Sequence, residues 1–66
     1  MQARFQVCQS GRESRWIVTL GTTIYGAYID REQALLDAVD AARDSLEAGC
    51  EAQVRIRERS SVSRVF

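Results

Sequence analysis

The chain has 66 residues, 45% hydrophobic and 27% charged, with nine arginines, nine acids and no lysine, histidine or proline. A single domain of this size buries only about 60% of the surface its unfolded chain exposes, so a thin core and a stabilising partner are expected. Cys8 and Cys50 alone cannot form a disulfide framework or, without histidine, a tetrahedral zinc site; no run nears the about 18 apolar residues of a membrane span. The stretch MQARFQVCQSGRE lacks the long apolar centre of a signal peptide, so the expected location is the cytoplasm.

From Arg4 to Gln9 the residues alternate, with Phe5 and Val7 on one face and Arg4, Gln6 and Cys8 on the other, the pattern of a half-buried strand. Ser10, Gly11, Arg12, Glu13 and Ser14 carry turn chemistry. Arg15 to Leu20 alternates again, Trp16, Val18 and Leu20 against Arg15, Ile17 and Thr19, so the two segments read as a hairpin. The following TTIYGAYI is rich in β-formers but interrupted by Gly26, consistent with a short bent edge strand or an extended approach to a helix.

Asp30 to Gly49 is the strongest signal in the chain. Asp30 and Gln33 form a capping-box pattern and Gly49 supplies a left-handed stop. Between them, Ala34, Leu35, Ala38, Val39, Ala41, Ala42 and Leu46 share one broad arc of a helix, which must cover the sheet. Leu35, Val39 and Leu46 are expected to supply most of its buried area, and Ile29 to staple onto Ala34. Leu36 projects from the acidic side, either as a lone exposed leucine or as part of an interface.

Ala52, Val54 and Ile56 then alternate with Gln53, Arg55 and Arg57 in a further strand, whose register sends Cys50 inward and Cys8 outward. Residues 60–66 read as a flexible or docking tail of the single 1–66 domain. The expected fold is α+β, two layers, with one helix on a three- or four-stranded sheet in the order β-β-(β)-α-β. If the segment around Ile24 to Tyr28 is a true strand, the helical crossover makes the later strand parallel to it.

Zero net charge conceals an asymmetry. Asp30 to Glu51 carries seven acids and two arginines, formally −5, and the remainder carries seven arginines and two acids, formally +5. In this register Arg4, Arg15, Arg55 and Arg57 share the uncovered sheet face with Ile17, Gln6, Gln53 and Thr19. Three uses suit that face: a solvated surface protected by arginines, an oligomer built around Ile17 with arginines paired to Glu13 or Glu58 or to an acidic helix, and phosphate binding to nucleic acid.

No catalytic or small-molecule constellation stands in the sequence. The acids cluster on an exposed helix face, Ser60, Ser61 and Ser63 have no neighbouring base, and Gly11, Gly21, Gly26 and Gly49 are spaced as turn and cap residues, not as a phosphate loop. No catalytic, metal or cofactor residue is therefore expected, and a membrane partner is not implied.

Trp16 and Val18 on the second strand, Asp30 with Ala34 at the helix start, and Ile56, Arg57, Glu58, Arg59 and Ser61 near the end resemble a family of short bacterial proteins catalogued only as a domain of unknown function. The resemblance spans roughly Phe5 to Ser61 and implies a small sheet-plus-helix fold, with no activity, substrate or cofactor attached. Family members have a second hairpin after the helix, for which Gly49 to Arg59 looks too short. The expected function is a non-enzymatic, self-associating interaction module, a homodimer, with an arginine-rich nucleic-acid-binding face as the alternative. The candidate surface is Arg4, Arg15, Ile17, Arg55, Arg57 and Leu36.

Overall fold

In the computed structural model, residues 2–10 and 15–66 are described. Residues 11–14 of the turn expected over 10–14, and with them Glu13 as a partner for arginine, lie outside the described residues. The elements are β1 (Gln2–Gln9), β2 (Trp16–Leu20), β3 (Thr23–Tyr28), α1 (Arg31–Glu47), β4 (Glu51–Glu58) and β5 (Ser61–Arg64). They form one five-stranded sheet in the order β3-β2-β1-β4-β5, with α1 on one side. The β1–β4 pair is parallel and the other three pairs are antiparallel. The two-layer α+β architecture is as expected, but the sheet has five strands, not three or four.

Register sets the core. Phe5 stands between Leu20 and Val54, and Val7 between Val18 and Ile56. Phe5, Val7, Val18, Val54 and Ile56 are buried beneath the helix, as the alternation of each strand requires. β3 is a true strand, antiparallel to β2 and therefore running in the same direction as β4, with β2 and β1 between them. Its irregularity is a bulge: Val18 opposes Gly26 and Thr19 opposes Ile24, leaving Tyr25 as the extra residue. The bulge turns Tyr25 onto the helix side, where its ring meets Phe5 edge-on at 5.5 Å. At Gly26 a Cβ would lie 2.6 Å from the Tyr28 hydroxyl oxygen, so the glycine is what lets the Tyr28 ring lie across the strand.

The helix begins and ends as its sequence dictates. Asp30 is in extended backbone and its Oδ1 accepts from the Gln33 amide at 2.9 Å. At the other end Gly49 has φ 88°, its amide donates to Leu46 O at 3.0 Å, and the Cys50 amide donates to Ser45 O at 2.9 Å. That pair of bonds is a Schellman motif, which satisfies carbonyls the helix leaves open.

The buried stripe differs from the expected one. Ala34, Ala38 and Ala42, one turn apart, are fully buried, whereas Leu35 and Val39 are half-buried and Leu46 is 46% exposed. The small residues let the helix backbone settle close over Val7, Val18 and Val54, and that axis leaves Leu46 at the rim. The hydrophobic staple also fails, since Ile29 is 88% exposed.

The stretch read as a tail supplies the fifth strand. Glu58 pairs with Ser61 across the two-residue turn Arg59–Ser60, and Arg59 takes φ 56°, the left-handed region. Beyond β5, the Val65 amide donates to Val54 O at 2.9 Å and Phe66 packs against the core. A second hairpin after the helix is thus present, contrary to the expectation that the chain is too short. It uses Glu51 to Arg64 and a turn that needs neither glycine nor asparagine.

Candidate functional site: the uncovered sheet face

The pleat that buries Phe5 and Val54 sends their neighbours to the other side of the sheet, where among the described residues no helix lies. Four ladder rows can be read across it. One runs Ala27, Ile17, Cys8, Arg57, Val62; the next runs Ile24, Thr19, Gln6, Arg55, Arg64; the third pairs Arg4 with Gln53, and the fourth pairs Gln2 with Glu51. Arg15, exposed and one residue ahead of β2, shares the parity of Ile17.

Four of the candidate residues, Arg4, Ile17, Arg55 and Arg57, therefore share this face, and Arg15 adjoins it. Leu36 does not join them: it is 60% exposed on the helix, on the far side of the molecule. Glu58 is also removed as a partner for the face. On the helix side, the Arg31 Nε donates to its Oε1 at 2.8 Å, an ion pair half-exposed at both ends and worth no more than about 1 kcal/mol.

The strands divide the face into two halves of different chemistry. Over β3 and β2, Ile24, Ala27 and Ile17 form an apolar patch that continues to Cys8 on β1. Ile24 is 67% exposed and Ile17 half-buried. Over β1, β4 and β5 lie Arg4, Arg55, Arg57 and Arg64, interleaved with Gln6 and Gln53. Arg64 and Val62 belong to β5 and escaped sequence reasoning because that strand did. The signal that could have found them is the alternation of Val62 and Arg64 with Ser61 and Ser63.

Elsewhere the chemistry is sparse. Among the described residues no group of three or more His, Cys, Asp or Glu side chains could hold a metal ion. The two thiols are free and half-buried. The Tyr28 hydroxyl is held above its ordinary pKa, first by burial and then by the Asp37 carboxylate, which accepts a hydrogen bond from the protonated hydroxyl and repels the phenolate; repulsion from Tyr25 adds to this. This pair sits on the helix side, away from the open face. Among the described residues no helix is long and apolar enough to cross a membrane.

In comparison with known proteins, no family model, no curated protein and no solved structure matches this chain.

Proposed function

We propose that this chain is a non-enzymatic interaction module that self-associates through the apolar half of its uncovered sheet face, Ile17, Ile24, Ala27 and Cys8. The observation that carries the reading is the ladder row Ala27–Ile17–Cys8 with Ile24 beside it, apolar and covered by no element among the described residues. Two further features support it. A domain of this size has little core to stabilise it alone, and a second copy is one of the few staples left to it. The central β1–β4 pair is parallel, and parallel strands are ordinarily covered on both faces.

Charge decides how two copies meet. Full superposition of the faces with like strands aligned would set Arg55, Arg57 and Arg64 against their own copies, so the overlap is confined to β3, β2 and the adjoining Cys8 of β1. Five strands spaced about 4.8 Å apart make a face about 24 Å wide, and half of it falls short of the about 800 Å² per partner of a standard stable interface. Association is accordingly weak, with Kd on the order of 10–100 µM.

Sedimentation velocity across a dilution series tests the reading. The wild type is expected to pass from monomer to dimer over that range, and Ile24→Glu with Ile17→Thr to remain monomeric with unchanged circular dichroism. Leu36→Glu, on the opposite side, should dimerise like the wild type. A folded wild-type monomer at every concentration, or a double variant that dimerises normally, would overturn it.

A further inference from the structure

The other half of the open face has its own unexplained feature. Arg55 and Arg64 are direct partners in the antiparallel β4–β5 ladder, and like charges in that position repel. Arg57 follows two residues on, and Arg4 lies beside Gln53 on the adjacent strand. Arg4 donates to the neutral Gln2 Oε1 at 3.0 Å, and Arg64 donates to Phe66 O, a carboxyl oxygen of the last residue, at 3.2 Å. Among the described residues none of Arg4, Arg55, Arg57 and Arg64 pairs with an Asp or Glu side chain, and most of the chain's acids gather between Asp30 and Glu47 at the opposite pole, with Glu51, opposite Gln2 at one end of the open face, an exception.

We infer that this basic half is a sequence-independent binding site for the sugar–phosphate backbone of a nucleic acid. The guanidinium fork suits phosphate oxygens, and arginines at alternate positions of an extended strand repeat about every 6.8 Å. Such a row fits an extended polyanion better than a single small anion. Gln6 and Gln53 supply neutral donors between the charges, a side-chain type that also contacts phosphate and sugar. Among the described residues no aromatic side chain shares the face, because Phe5, Trp16, Tyr25, Tyr28 and Phe66 are all on the helix side, so bases have no stacking platform and sequence is not read. The helix of another copy is a poorer occupant, since its acidic face carries Leu36 and Arg43 at its crest. The site does not depend on self-association, which uses the other half of the face.

Fluorescence anisotropy of the full chain with a labelled random-sequence duplex and a labelled single strand, at about 50 and 200 mM salt, tests the inference. Four arginines on phosphates give a log–log salt slope of about −3.6 for the duplex. Arg55→Gln with Arg64→Gln should make that slope shallower by about 2 and weaken binding to both strands, whatever their sequence. Arg43→Gln, on the helix, should change neither. Both variants alter exposed or half-exposed side chains, and circular dichroism checks that they fold; Arg57→Gln alone, with a slope change of about 1, serves if the double variant does not. Absence of binding at low salt, or a slope indifferent to these arginines, would overturn the inference. So would polyglutamate competing as well as DNA at equal charge, which would assign the site to an acidic protein.

Discussion

The close seat of the helix on the sheet makes an unusual demand: enlarging a buried alanine of the helix should destabilise the protein more than truncating the leucine at its rim. Ala38 is fully buried at the middle of the stripe, with Ala34 and Ala42 a turn to either side. Ala38→Leu adds three carbons at a fully buried position against the sheet, and overpacking of that kind costs about 1–3 kcal/mol. Leu46→Ala removes the same three carbons from a side chain 46% exposed, so about half of the roughly 2.4 kcal/mol transfer term is lost, or about 1 kcal/mol. Val54→Ala empties a fully buried site and should cost about 2–3 kcal/mol once a cavity term is added. Against a total stability of about 3–10 kcal/mol these differences are large. Thermal unfolding reads them at about 4–8 °C per kcal/mol in a domain this small, with protein concentration fixed so that association does not contribute. The expected order of loss is Leu46→Ala smallest, with Ala38→Leu and Val54→Ala both larger. Ala38→Leu at or above wild-type stability, or Leu46→Ala the costliest of the three, would refute the alanine-seated packing.

Asp30→Ala removes the acceptor for the Gln33 amide and should cost about 1 kcal/mol in urea unfolding, with Asp30→Asn or Asp30→Ser restoring most of it. Gly49→Ala forces a side chain into φ 88° with open space around it, so the loss is one of backbone strain, about 1 kcal/mol, and its helix content should hold while the unfolding midpoint falls. Tyr28 has a folded-state pKa raised above its ordinary 10.0, so its contribution to stability is complete below that value and disappears as pH climbs through the raised one. Urea midpoints taken at about pH 8 and about pH 11 should therefore fall further in the wild type than in Tyr28→Phe; parallel declines would show that burial and Asp37 do not hold this proton.

What could be read from the residues followed physical rules that act locally. Alternation alone placed Phe5, Val7, Val18, Val54 and Ile56 on one side, and hence Arg4, Ile17, Arg55 and Arg57 on the other, because a strand's period of two leaves no third option. Asp30 and Gly49 marked the helix for the same reason, each supplying a specific backbone need at one end. The failures arose where tertiary context overrode local pattern. Leu46 and Ala38 lie on the same apolar arc, and only the position of the helix axis over the sheet separates rim from centre. β5 was hidden because its turn places Arg59 at φ 56° without glycine, and because Ser61 and Ser63 lack the β-branched character of a typical strand. That strand carries Arg64 and Val62, so the extent of the basic half could not be read before the hairpin was known.

Self-association by the open sheet face is tested most directly by the two native thiols, which sit in different places: Cys8 beside Ile17 on the open face, Cys50 at the helix end. Both are free and half-buried, so each reports on its own surroundings. Alkylation of each thiol, followed by mass spectrometry from low micromolar to near-millimolar protein, should slow at Cys8 as the dimer fills and stay constant at Cys50. Slowing at Cys50 alone, or at neither thiol, would contradict it.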